Sequence, residues 1–244
     1  MSAPRPDAAR VAITGASGAL GQALCERFLT AGWSVLALTS GPIPATAEGG
    51  GIRWCSWRCG EEAALLPQLE DVDLLVINHG LNVHGERSAD AVRRSLEINA
   101  LSGWRLLELV LEGRLDNSDV ARSGPTEVWV NTSEAEVLPA LSPLYEISKR
   151  LIGQLVSLRR PDARRCGVRL RTLVLGPFRS SLNPIGVMTP GFVAARILNQ
   201  ASWPLPWIVV TPNPLTWLLL PLSELVRATY FVLFSRPPAE HPDR

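Results

Sequence analysis

Tyr145 and Lys149 stand four residues apart in the run Tyr145-Glu146-Ile147-Ser148-Lys149. On a helix that spacing puts both side chains on one face, so a phenol and an ammonium share one space. A phenol titrates near pH 10 in water, too high for proton transfer at neutrality, and a fixed ammonium beside it favours phenolate and lowers that value. The ammonium can also reach the hydroxyls of a bound ribose. Lys149 is the single lysine of the chain, against 23 arginines, and Tyr145 is one of two tyrosines. Arginine does not replace lysine where a compact charge is needed, so one lysine kept beside a tyrosine points to chemistry; drift in a lysine-poor composition is the bland alternative. Ser133 comes twelve residues before Tyr145, just past the apolar run Glu127–Asn131. There its hydroxyl can donate to a substrate carbonyl oxygen.

A second constellation is Thr14-Gly15-Ala16-Ser17-Gly18-Ala19-Leu20-Gly21. Glycines at 15, 18 and 21 let the backbone turn tightly, approach a pyrophosphate and close a helix onto a strand. The start of the helix then offers free N–H groups and a positive dipole end to phosphate. Its place after a short apolar strand is the context that gives a glycine pattern meaning.

These residues need elements to hold them, and the chain alternates short apolar runs with longer amphipathic ones. Strands are expected at Val11–Thr14, Ser34–Thr39, Ile52–Trp57, Leu74–Asn78, Glu127–Asn131 and Leu170–Leu175. Helices are expected at Leu20–Thr30, Glu61–Leu69, Ala89–Glu112 and Tyr145–Arg160, with Gly41–Gly51 a loop. Such alternation calls for an α/β, doubly wound, Rossmann-like parallel sheet with helices on both faces. The expected division is a dinucleotide-binding and catalytic domain over residues 1–202, then an apolar Trp/Pro-rich extension over 203–244.

Composition narrows the classes. Hydrophobic residues make up 46% and charged ones 19%, enough for a sizeable core. With 24 basic against 23 acidic residues, the net charge of +1 leaves no electrostatic footprint for nucleic acid. The polar start Met1–Arg10 lacks the apolar stretch of an export signal. Cys25, Cys55, Cys59 and Cys166 form neither a disulfide framework nor a convincing metal set, so no metal is expected and a reduced, cytoplasmic compartment is.

In order and spacing, these motifs resemble those of the short-chain dehydrogenase/reductase family over roughly residues 10–200. Asn78-His79-Gly80 stands at the place of that family's Asn-Ala-Gly, and Asn99 lies within Leu96-Glu97-Ile98-Asn99. The chain is also similar to a bacterial, largely cyanobacterial, group of short-chain dehydrogenases. The resemblance implies that Tyr145 is the general acid–base group, tuned by Lys149, and that Ser133 polarises the carbonyl. Asn99 would fix a water linking Lys149 to solvent. Gly15, Ser17, Leu20 and Gly21 would line the pyrophosphate, Asn78 and Gly80 the adenine-side ribose, and Pro177, Phe178 and Ser181 the nicotinamide amide. It further implies a homodimer paired through Ala89–Glu112 and Tyr145–Arg160. Where the family has alanine the chain has His79, for which simple packing is the default. Trp57 falls near the place of an adenine-contacting aspartate.

After the second strand comes Thr39-Ser40-Gly41, without the carboxylate that would bind a ribose 2′-OH and repel a 2′-phosphate. NADP is therefore expected ahead of NAD, with Thr39 and Ser40 as phosphate donors. The substrate expected is a small apolar carbonyl or alcohol, with Phe192, Trp203 and Trp207 in its binding loop. The competing reading is a non-catalytic nucleotide-binding or scaffold module.

Ile197 to Ser223 carries no charge, yet Pro204, Pro206, Pro212, Pro214 and Pro221 argue against a membrane span. A helix from about Asn213 carrying Glu224 and Arg227 is expected instead. Peripheral membrane contact through 203–235, a substrate lid and packing on the protein's own core or a twin subunit stay open for it.

Overall fold

The computed structural model describes residues 9–43, 51–115 and 124–236. Most of the expected loop Gly41–Gly51 lies outside them, as does Met1–Ala8. Seven strands, β1 (Arg10–Thr14), β2 (Ser34–Thr39), β3 (Ile52–Ser56), β4 (Leu74–Ile77), β5 (Glu127–Asn131), β6 (Arg169–Leu175) and β7 (Trp207–Val210), form one parallel sheet in the order β3-β2-β1-β4-β5-β6-β7. Strand order reverses between β1 and β4, which opens a crevice at the carboxyl ends of the strands.

Alternation along the strands sorts the core into two layers. Val11, Ile13, Val35, Ala37 and Val76 face α1 (Ala19–Thr30) and α6 (Pro190–Ala201). Ala12, Leu36, Leu38, Leu75 and Ile77 face the other side. That side is covered by the short α2 (Leu66–Leu69), by α4 (Ser102–Leu115) and by α5 (Pro143–Arg165). Both faces being buried accounts for the unbroken apolar run of β4, Leu74–Ile77.

Two differences from the sequence reading matter for the site. The expected helix Ala89–Glu112 is α3 (Ala89–Leu96), a π-helical turn at Glu97–Leu101, and α4. Such a widened turn commonly marks a functional position, and Asn99 sits in it. The boundary drawn at residue 202 also requires correction, because β7 lies beyond it and completes the sheet on β6. Four residues set between Pro206 and Pro212 are too short for periodicity to reveal as a strand.

The last helix, α7 (Pro214–Phe234), starts as expected: Asn213 caps it through Leu215 N at 3.1 Å, and Pro214 occupies the first turn. Leu220 packs with Val174 of β6 and Val209 of β7. By length and composition α7 could cross a membrane, and only 17% of its apolar window is buried.

Candidate active site

At the β1–α1 turn Gly15 adopts φ +64°, and an added Cβ would lie 2.8 Å from His79 Cα, so only glycine fits. Gly18 caps α1 without a side-chain bond, which leaves N–H groups at the helix start open to a phosphate. Gly21 is not on the cleft wall. It lies behind the turn, where a Cβ would meet Gly15 O at 2.2 Å, so it closes the helix onto the turn.

From this turn a cleft of about 870 Å³ runs along the carboxyl ends of the strands, within the size range of cofactor and ligand sites. The structure brings together on its wall Gly15, Ser17, Leu20, Thr39, Ser40, Asn78, Gly80, Ser133, Tyr145, Lys149, Pro177, Phe178 and Ser181. The Ser17 and Thr39 hydroxyls bond each other at 2.8 Å, and Thr39 Oγ1 accepts from Gly41 N at 3.0 Å. Among the described residues no carboxylate lines this end of the cleft.

His79 is packed rather than free. Its Nδ1 lies 2.8 Å from Thr14 Oγ1, and its ring meets Trp57 edge-on, centroids 5.2 Å apart. Burial holds the imidazole down to about 4, with Lys149 and Arg105 acting the same way and Glu62 against them, so it is neutral at pH 7.

At the other end, Tyr145 and Lys149 project from the first turns of α5. Lys149 Nζ donates to Asn131 O at 2.8 Å and sits 5.7 Å from the centre of the Tyr145 ring. Burial lowers this ammonium to about 8, opposed by Glu136. Burial also raises the Tyr145 phenol above its ordinary value, with the Ser133 hydroxyl pulling the other way. Lys149 and Tyr145 share one face of α5, as the four-residue spacing requires.

Ser133 follows β5 with φ +91° and ψ 154°, a conformation that costs on the order of 1–3 kcal/mol outside glycine. Its hydroxyl donates to Leu175 O at a long 3.4 Å and accepts from Ala135 N at 3.3 Å. The first of these bonds is weak enough to exchange for a ligand.

Asn99 sits in the π-helical turn between α3 and α4. It is buried off the cleft wall, and its side chain is committed to the protein: Oδ1 accepts from Leu81 N at 2.6 Å, and Nδ2 donates to Leu81 O at 2.8 Å and Ser148 Oγ at 2.9 Å. It ties the Gly80–Leu81 segment to α5 and has no direct bond to Lys149.

The substrate loop also needs correction. Phe192, Trp203 and Trp207 do not line the cleft. The helix carrying Phe192 lays Val193, Ala194 and Ile197 on the sheet, and Trp207 opens β7. The apolar rim is formed instead by Pro139, Leu141, Leu182, Pro184 and Ile185, with Leu141 95% and Ile185 78% exposed. Isolated leucines and one isoleucine on loops carry no periodic signal, so nothing in the spacing singles them out.

Sheet order, glycine turn and cleft together define a dinucleotide-binding α/β protein. A family profile described as the NAD dependent epimerase/dehydratase family matches residues 11–201. The chain belongs to this family, and its short-chain dehydrogenase/reductase character holds. It is 42% identical over 231 residues, 93% of its length, to the monoglucosyldiacylglycerol epimerase of Synechocystis sp., and spans 55% of that protein. Among solved structures it is similar to a short-chain dehydrogenase/reductase family oxidoreductase from Burkholderia thailandensis, with TM-score 0.73, 23% identity, and 90% and 97% of the two chains covered. It is also similar to a short-chain dehydrogenase from Sphingobium yanoikuyae in complex with NADPH, with TM-score 0.72, 16% identity, and 96% and 99% covered.

Proposed function

We propose that this chain transfers hydride between NADP(H) and a carbinol or carbonyl carbon in the sugar headgroup of a membrane glycolipid, through Ser133, Tyr145 and Lys149. The observation that carries the reading is the gathering of these three side chains at the end of one cleft whose rim is apolar. The glycolipid is suggested by the relative from Synechocystis sp., whose name specifies a monoglucosyldiacylglycerol. A polar headgroup suits the hydroxyl-lined floor, and acyl chains suit the exposed Leu141 and Ile185.

The cleft residues fit a dinucleotide, since Gly15 leaves no room for a Cβ and the start of α1 offers uncapped donors. A bound nicotinamide supplies a hydride acceptor and donor, which suits either net oxidation or, with return to the opposite face, inversion of one carbinol carbon. Tyr145 takes the hydroxyl proton in oxidation and returns it in reduction. Lys149 holds positive charge beside the Tyr145 ring and would hold the ribose of a bound dinucleotide. Ser133 releases its long bond to Leu175 O and donates to the developing oxyanion. Asn99 keeps Gly80 and Leu81 in register beside Lys149, where a Gly80 Cβ would be 4.0 Å from Nζ.

NADP is favoured over NAD by the hydroxyls of Thr39 and Ser40, with no carboxylate at that end of the cleft among the described residues. Contact with the cytoplasmic surface of a membrane through 203–235 is favoured by the outer face of α7, which exposes Trp217, Leu218, Leu222, Leu225, Val226 and Tyr230. Glu224 and Arg227 are turned inward, so the helix lies along the protein. Homodimer pairing through α4 and α5 belongs to the same reading.

The test uses vesicles containing monoglucosyldiacylglycerol, the purified protein and NADP or NAD, with reduced nicotinamide followed by absorbance and the lipid by mass spectrometry and chromatography. Tyr145→Phe should keep cofactor affinity and lose turnover by about 10²–10⁴-fold. Cofactor binding by both proteins with turnover by neither would favour the binding-module reading, and no binding of either cofactor would overturn the assignment.

A further inference from the structure

The positive φ of Ser133 demands that something hold its turn in place. Ser133 is followed directly by a 3-10 turn, Glu134–Glu136, which bears two carboxylates. Glu134 Oε2 accepts from Thr211 Oγ1 at 2.6 Å and from Thr216 Oγ1 at 3.1 Å. Thr211 in turn packs so closely on Gly176 of the cleft wall that a Cβ there would lie 2.4 Å from its hydroxyl. Glu136 is buried and pairs with Arg227, which also pairs with Glu224. Glu224 accepts from Ser157 Oγ of α5 at 2.9 Å and faces Arg160 at 3.5 Å. Gly153 of α5 leaves the room that Glu136 occupies, since a Cβ there would lie 2.5 Å from the carboxylate carbon.

The buried residues of α7 are Thr216, Leu220, Glu224 and Arg227. Spaced by four, four and three, they form one narrow stripe along the helix. Three of the four are polar, and two of these reach the carboxylates that follow Ser133. A helix held only by burial would have turned its leucines inward, whereas this one leaves Leu215, Leu218, Leu222, Leu225 and Leu233 outside and points its hydroxyl and guanidinium at a single turn.

We propose that α7 is the positioning helix of the catalytic turn, and that Glu134, Glu136, Thr216 and Arg227 are positioning residues that hold the Ser133 hydroxyl toward the substrate. The inference rests on the reading of Ser133 as the oxyanion donor. Clamped at Glu134 and at Glu136, the turn cannot relax Ser133 to negative φ without breaking a bond to α7. Strain at the site is thereby maintained from a helix that contributes nothing to the wall of the cleft.

The decisive comparison is Thr216→Val against Thr216→Ser in the full chain, with Gly153→Ala approaching the same turn from α5. Amide hydrogen exchange is read at Ala135–Leu138 and, as reference, in β4 and β5. Thr216→Val should speed exchange in the turn by about tenfold, as expected for losing a hydrogen bond to a charged group, and leave the strands unchanged. In the glycolipid assay it should lower kcat by a similar factor with KM and NADPH affinity retained. Thr216→Ser, which keeps the hydroxyl, should restore both, and Gly153→Ala should reproduce the effect of valine by displacing Glu136. Unchanged exchange in the turn for both Thr216→Val and Gly153→Ala would overturn the proposal, and so would an equal rise across the sheet. Exchange is measured without substrate, so a wild type inactive on glycolipid would sink the proposed function while the exchange comparison still decides the positioning.

Discussion

Replacing Gly21 with alanine puts one methyl group where the backbone of the phosphate-binding turn already stands. The added Cβ would lie 2.2 Å from Gly15 O, 2.7 Å from Ala16 Cα and 2.9 Å from Gly15 C. Ordinary carbon contacts fall at about 3.5–4.0 Å, so the overlap is severe. All the atoms met are backbone, and none can rotate away. Alanine gains about 1 kcal/mol over glycine within a helix. Overpacking costs about 1–3 kcal/mol and sometimes more, and backbone overlap on this scale belongs at or above the upper end. The expected net loss is about 2 kcal/mol. Relief of the clash must move Gly15, which lines the cleft, so NADPH affinity should fall by about 10–100-fold, each factor of ten being about 1.4 kcal/mol. Gly113→Ala in α4 is the control, since among the described residues its Cβ would meet nothing within 4 Å. It should gain up to about 1 kcal/mol and bind cofactor normally. Urea unfolding and a fluorescence titration with NADPH measure both quantities. A Gly21→Ala protein as stable as Gly113→Ala, with wild-type NADPH affinity, would refute the packing argument for the turn.

Three further outcomes are expected. The folded-state value of Lys149, about 8, lies below the 10.5 of the free group, so the unfolded chain holds more protons between these values and stability rises with pH across that window. Lys149→Met should flatten this rise in urea midpoints, and an unaltered slope would contradict the burial of the charge. His79 follows the same sign at lower pH, from 6.5 down to about 4: stability is lost on acidification as the neutral buried ring is forced to charge. His79→Asn, which can still accept from Thr14, should lose less stability over that window, as thermal midpoints at several pH values would show. Ser40→Asp places a carboxylate after β2 and should weaken NADPH binding at least about tenfold relative to NADH. Equal weakening of both cofactors would dissociate Ser40 from 2′-phosphate recognition.

Short-range chemistry was legible in the sequence. The apolar runs identified six of the seven strands because a sheet buried on both faces needs continuous hydrophobicity, and the glycine turn was recognisable because its steric demands fall within eight residues. Tyr145 and Lys149 were brought together by helical spacing alone, and Ser133 by its place after β5. What the sequence could not supply were the consequences of packing between distant segments. The bond from Lys149 Nζ to the Asn131 carbonyl, 18 residues away, is one such consequence. The rim of the cleft went unrecognised because its apolar residues lie on loops, and Phe192, Trp203 and Trp207 were expected in the substrate loop although they fall in α6, after it and in β7.

The tail divides most clearly. Sequence determined that α7 begins at its Asn-Pro cap and carries Glu224 and Arg227, because capping and charge placement are local properties. Only the tertiary structure decided where those charges go. Arg227 meets Glu136 across 91 residues of chain and Thr216 meets Glu134 across 82, pairings that no spacing rule encodes. Buried ions need partners, and in this fold the partner lies beside Ser133.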